Sequence, residues 1–199
     1  MQLVLATTNK GKIKEISKLL NNKIELLSLK DFNIPPIPET GNTFEENAYI
    51  KAKTVSEKTG LMALADDSGL VVPYLKGEPG VHSARYSGPN ATDEQNNLKL
   101  LTKLQNVPKA QRKAFFVCVI AVWHPSGKHF HVQGNWPGYI ATEPKGHNGF
   151  GYDPIFIDEQ TGLHAAEMSL EQKNQISHRA LALKAFLQKW PNFLQQLQL

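Results

Sequence analysis

The first 27 residues of the chain spell a β-α-β unit, and no other stretch constrains the fold as much. Leu3 to Ala6 is a short apolar run of the kind that forms a buried strand. The polar turn Thr7-Thr8-Asn9-Lys10-Gly11 follows it. Ile13, Ile16, Leu19 and Leu20 then recur at the spacing of an amphipathic helix. Ile24 to Leu27 is a second apolar run. Strand, helix and strand in that order favour an α/β fold with a partly parallel sheet.

The remaining chain extends that reading. Ile34 to Gly41 holds three prolines and a glycine and is predicted to be a rigid loop. Thr43-Phe44-Glu45-Glu46 is a capping box that opens a helix, with Gly60 as its stop. Leu61 to Ala65 reads as a short buried strand ending on Asp66-Asp67-Ser68-Gly69. Residues 73–91 are rich in Gly, Pro and Ser and read mostly as loop. Thr92 to Gln95 caps another helix, with Leu98, Leu101 and Leu104 as its inner face. A long strand over 114–123 turns at His124 to Lys128 into a partner strand over Phe130 to Gln133. Ser169 caps the last helical region, which runs towards Trp190, and Ser177 is a break or second cap within it. No repeat, low-complexity tract or linker interrupts the chain. Residues 1–199 are therefore expected to form one unit, a central mixed sheet flanked by helices, divided into two lobes by a cleft.

Composition narrows the class. With 199 residues and 41% hydrophobic content the chain can bury a core. A net charge of +4 makes anionic ligands reasonable but is weak support for nucleic-acid binding. No apolar run approaches the ~20 residues of a membrane span. The opening residues lack a basic leader and a long apolar region, so the expected compartment is the cytoplasm. The single cysteine, Cys118, excludes an internal disulfide. It lies in an apolar strand, where a buried structural thiol is preferred to a nucleophile.

Several segments carry side chains suited to chemistry. Thr7, Thr8, Asn9, Lys10, Gly11 and Lys12 stand where a strand feeds a helix N-terminus, which binds anions through backbone N–H groups. The plainer alternative is a polar turn with a solvated lysine face. Asp66 and Asp67 are adjacent carboxylates that repel unless positive charge sits beside them, and a hard cation such as magnesium prefers such oxygens. On an extended chain the two point to opposite sides. Asp-Asp-Ser-Gly is also good turn chemistry. Asn47 and Lys51 share a helix face on which Lys51 could meet phosphate or carboxylate; a salt-bridged surface helix is the alternative. Gly146 to Pro154 combines three glycines with Phe150 and Tyr152, flat faces for a base, and Asp153, an acceptor; a tight connection with buried rings is the alternative. Lys173, His178 and Arg179 bring donors for carbonyl or phosphate oxygens. His129 and His131 alternate on a strand and are read as an exposed face, since no further ligand suits zinc.

Six segments together resemble the Ham1-like inosine triphosphate pyrophosphatases, also described as non-canonical purine nucleoside triphosphate pyrophosphatases. They are ATTNKGK, ETGNTFEENAYIKA, ADDSGL, GVHSARYSG, GFGYDPIF and KNQISHRALAL, in the family's order from Leu3 to about Leu187. The resemblance implies an elongated mixed-sheet α/β fold with substrate between two lobes, and a homodimer. It implies hydrolysis of ITP, dITP or XTP between the α- and β-phosphates, with Mg2+ as cofactor. By position it implies that Thr7, Thr8, Asn9 and Lys12 hold the triphosphate. Glu39 and Asp67 would bind the metal, Asp67 would accept the proton, and Asp66 would support them. Ser68, Phe150, Gly151, Tyr152, Asp153, Lys173, His178 and Arg179 would complete the substrate contacts. Thr8 stands where many members carry glycine. Two other readings remain open at this stage. One is a pyrophosphatase for modified or pyrimidine nucleotides, as in the distantly similar Maf family. The other is a non-catalytic nucleotide- or RNA-binding module, which leaves the acidic pair unexplained.

Overall fold

The structure is a computed structural model that describes residues 2–20 and 24–198, with the side chains of Leu19 and Leu20 outside the description. The opening unit forms as expected. Strand β1 (Gln2–Leu5) leads through helix α1 (Lys10–Leu20) to β2 (Glu25–Ser28), and β1 and β2 run parallel with Leu3 opposite Leu26. On its other side β1 pairs in parallel with β3 (Ala63–Val71), Leu5 opposite Leu64. Strands β4 (Lys113–Trp123), β5 (His129–Ile140) and β6 (Phe156–Asp158) complete a sheet of order β2-β1-β3-β4-β5-β6. The β5–β6 pair is antiparallel, so the sheet is mixed.

Helix positions follow their capping signals. Helix α2 (Phe44–Thr59) begins at Thr43, whose hydroxyl accepts the Glu46 N–H while the Glu46 carboxylate accepts the Thr43 N–H. Gly60 ends it in the left-handed conformation. Thr92 and Gln95 cap α3 (Asp93–Lys103) in the same reciprocal way. Ser169 caps α4 (Leu170–Ile176), and Ser177, with extended backbone, separates it from α5 (His178–Leu197).

Three expectations are corrected. Asp66-Asp67-Ser68-Gly69 is neither a turn nor a strand end, because β3 continues through it to Val71. Strand β5 runs seven residues past Gln133, through Gly134 and Pro137, the residues that argue against a strand in sequence. Of the expected inner face of α3, Leu104 is buried at the C-cap and Leu101 is half-buried against the core, but Leu98 is 66% exposed, and Asn96, Asn97 and Leu100 are the buried residues of the helix itself. A three-residue spacing alone follows the helix face less well than the 100 and 104 pair, one turn apart on the packed side.

The chain divides into two compact units. The first gathers Met1–Asp67, Cys118–Gly134 and Arg179–Leu199, and packs around Leu3, Ile16, Leu64, Ile120, Leu183 and Phe186. The second gathers Ser68–Val117 and Asn135–His178, and packs around Leu70, Leu100, Trp136, Ile140 and Phe156. Cys118 is fully buried in the first core, and burial pushes its thiol up to about 12. That suits a packing residue and not a nucleophile. Among the described residues no helix is long and apolar enough to cross a membrane.

Candidate functional site

In the first unit, alternation along β3 sends the two aspartates to different partners, as their place on an extended chain requires. Asp66 has no exposed surface. Its carboxylate meets the Lys12 ammonium at 3.0 Å and the Arg179 guanidinium at 3.5 Å. Arg179, itself 2% exposed, also pairs with Glu15 on α1. Burial acts to raise the Asp66 pKa, but the charges of Lys12, Arg179 and Lys51 outweigh it and hold the carboxyl well below the usual range. Asp66 is thus a fixed anion within a buried chain of alternating charge.

Asp67 faces a different setting. Its Oδ1 accepts from Lys51 Nζ at 3.1 Å, and the same ammonium donates to Glu39 Oε1 at 2.7 Å. Lys51 is buried yet charged: burial lowers its pKa, and Asp67, Asp66 and Glu39 more than restore it. The surface-helix reading of Lys51 is therefore replaced by a buried bridge between two carboxylates. For Asp67, burial raises the pKa, Lys51 lowers it and Glu39 raises it again, leaving it pushed up to about 6. Local positive charge does not fully offset the burial of this group.

The turn after β1 lies in the same unit. Asn9 caps α1, its Oδ1 accepting the Lys12 N–H at 3.1 Å and its carbonyl the Ile13 N–H at 3.0 Å. Thr7 Oγ1 accepts the Asn9 N–H at 3.2 Å. Thr8 and Lys10 are exposed, Gly11 is half-buried, and the first turn of α1 carries no acidic side chain to neutralise its N-terminal end. Such an end attracts anions.

Glu39 and Asp67 suit a magnesium ion. Both are hard oxygen donors brought to one ammonium. Asp67 Oδ2 is buried and lacks a hydrogen-bond partner among the described residues, an acceptor that a cation would satisfy. No cluster of three or more metal-ligating side chains occurs among the described residues. Magnesium does not require one, because one or two carboxylates serve when phosphate oxygens and water complete its shell.

The second unit holds the other predicted residues. Asp153 Oδ2 accepts the Phe150 N–H at 3.0 Å and the Lys173 ammonium at 2.6 Å. A side chain at Gly149 would reach within 1.9 Å of the same oxygen, so the loop closes only around glycine. Phe150 is half-buried with the Lys173 ammonium 5.6 Å from its ring centre. Tyr152 instead goes into the core, its hydroxyl donating to the Ser83 carbonyl at 2.8 Å. Of the two rings, only Phe150 retains a partly open face. Gly151 is gripped through its backbone by α3, its N–H reaching Asp93 Oδ2 and its carbonyl Asn97 Nδ2. His178 is buried and stacks on Phe116 at 4.7 Å. Ser68 lies half-buried on β3.

His129 and His131 both lie edge-on to Tyr49, whose hydroxyl is 3.0 Å from His131 Nδ1. Sequence reasoning missed Glu15, Asp93 and Asn97. Glu15 left one trace, as the only acid among the lysines of α1. Asp93 and Asn97 read only as helix-start and helix-body residues.

The model of the Ham1 family matches residues 3–189. The chain is 50% identical over 199 residues to a dITP/XTP pyrophosphatase of Nitratidesulfovibrio vulgaris, covering 96% of each chain. It is 53% identical over 184 residues to a dITP/XTP pyrophosphatase of Geobacter sulfurreducens, covering 92% of each. Its structure resembles that of a HAM1 protein from Coxiella burnetii with a TM-score of 0.89, at 43% identity, covering 96% of this chain and 99% of the other.

Proposed function

The chain belongs to the Ham1 family, and from that premise we propose that it hydrolyses non-canonical purine nucleoside triphosphates such as ITP, dITP and XTP to the monophosphate and pyrophosphate. The observation that carries the mechanism is the Glu39–Lys51–Asp67 bridge. Glu39 and Asp67 would hold Mg2+, which when bound neutralises phosphate oxygens and acidifies water. The N-terminal N–H groups of α1, with Thr7, Thr8, Asn9, Lys10, Gly11 and Lys12, receive the triphosphate. Water attacks, the bond between the α- and β-phosphates breaks, and pyrophosphate leaves. Asp67 takes the proton lost by the water. Lys51, kept charged, offsets the negative charge that develops on the leaving group. Asp66 fixes Lys12 beside the phosphate turn.

The base lies against Phe150, in the loop that Asp153 and Lys173 brace. The base-reading role of His178 and Arg179 and the contact from Ser68 rest on family resemblance. We place the protein in the cytoplasm, with no nucleic-acid or membrane partner, and on the ground of family resemblance as a homodimer.

The test is pyrophosphate release from ITP, XTP, dTTP and ATP, with and without magnesium, on wild type and Asp67→Asn. Release from ITP and XTP that needs the cation, and falls about 100-fold or more in the variant, is expected. Full activity of Asp67→Asn would overturn the mechanism, and a preference for dTTP would overturn the substrate class.

A further inference from the structure

The loop that would meet the base has a turn of its own at Gly149 to Asp153, and one residue at its centre is held from outside. Gly151 N–H donates to Asp93 Oδ2 at 2.6 Å. Gly151 C=O accepts from Asn97 Nδ2 at 3.0 Å. Asp93 and Asn97 are four apart on α3, hence on one face, one turn above the other. A single helix face therefore fixes both backbone polar groups of the residue that follows Phe150. Asn97 is 8% exposed, so its bond is sheltered from water. Helix α3 is itself anchored: Thr92 and Gln95 cap it reciprocally, and Leu100 and Leu104 are fully buried.

The plain role for Asp93 is a carboxylate in the first turn of a helix, favourable through the helix dipole. That role asks nothing of Gly151 and leaves Asn97 without a reason to be buried beside it. We infer that Asp93 and Asn97 are positioning residues that clamp the 149–153 loop onto α3 and so set the pose of Phe150, which places the purine base for discrimination. The inference rests on the proposed base site at Phe150. It goes beyond that site in assigning base discrimination to two side chains that need not touch the substrate. Position 93 needs an acceptor and position 97 a donor, because the Gly151 N–H donates and its carbonyl accepts.

That asymmetry supplies the test. Asp93→Asn retains an oxygen acceptor for the Gly151 N–H. Asn97→Asp replaces the donor by an oxygen facing the Gly151 carbonyl at nearly equal volume. Hydrogen exchange of peptides covering 147–153 is measured in the ligand-free protein, and KM, kcat and the ITP/ATP ratio are measured with magnesium. Asn97→Asp and Asp93→Ala are expected to speed exchange in this loop while α5 peptides keep their protection. KM for ITP should rise about tenfold, the scale of one lost buried hydrogen bond. The ITP/ATP ratio should fall, and kcat should stay within about twofold. Asp93→Asn should remain within about twofold of wild type throughout. Unchanged loop exchange in Asn97→Asp, or an Asp93→Asn variant as impaired as Asp93→Ala, would overturn the clamp. Faster exchange in Asn97→Asp with an unaltered KM and ITP/ATP ratio would uphold the clamp and overturn its link to base discrimination. A wild type that does not prefer ITP would overturn the base site itself, while the exchange data would still decide the clamp.

Discussion

Asp66 carries a full charge with no exposed surface, and only its partners make that tolerable. Lys12 and Arg179 reach it from α1 and α5, and Arg179 continues to Glu15. Removing one member strands the others, so Asp66→Asn should destabilise the protein by about 3–5 kcal/mol at pH 7. The sign with pH follows from the depressed pKa of Asp66. The folded state favours the ionised carboxylate, so its contribution is fully present above the unfolded value of about 3.9 and fades as pH falls below it. Urea unfolding of wild type and Asp66→Asn should therefore show a wide gap at pH 7 that narrows near pH 3. A gap that is constant across that range would contradict the charged role. At this scale the sequence was half legible. Adjacent aspartates announced a need for positive charge, and strand alternation predicted that they diverge. Which cation each would find was hidden, because Arg179 lies 113 residues from Asp66 and long-range pairing leaves no local pattern.

Helix α2 shows how an element places a reactive group that it does not carry. Its first turns bind three successive backbone N–H groups of the incoming loop. Gly41 donates to Asn47 Oδ1 at 2.7 Å, and Asn42 and Thr43 donate to Glu46 Oε2 at 2.6 and 3.2 Å. One turn beyond Asn47, Lys51 grips Glu39 of the same loop. Gly41 has no room for a side chain, since a Cβ there would lie 2.7 Å from the Glu46 Cβ. Asn47→Ala should thus loosen Glu39 without touching it. We expect the magnesium concentration for half-maximal ITP turnover to rise several-fold, with about 1–3 kcal/mol lost in urea unfolding. An unchanged magnesium requirement would separate Asn47 from the metal site. The helix itself was read correctly from Thr43, Glu46 and Gly60, because caps are local chemistry. The strand through Asp66 to Gly69 was not, because turn-forming residues there obey the neighbouring strands and not their own preference.

At the scale of the whole molecule, the β-α-β opening disclosed the fold class because a parallel pair around a helix has few alternatives. The membership of the two units was hidden. The chain passes from one to the other within β3, β4 and β5 and again between His178 and Arg179, with no linker to mark a passage. Ligand binding by the whole chain is measurable through linkage. A compound that binds only the folded chain stabilises it by about 2.7 kcal/mol at a hundred times its Kd. For a protein of this length each kcal/mol moves Tm by about 2–4 °C. An ITP analogue with a methylene bridge between the α- and β-phosphates, supplied with magnesium at that excess, should therefore raise Tm by roughly 5–11 °C. Chelating the magnesium should remove much of the shift in wild type. In Glu39→Gln the analogue should give a small shift that chelation barely alters, because one of the two carboxylates proposed to hold the cation would be gone. A shift in wild type that survives chelation in full would show that phosphate binding at the α1 turn does not draw on a cation held by Glu39 and Asp67.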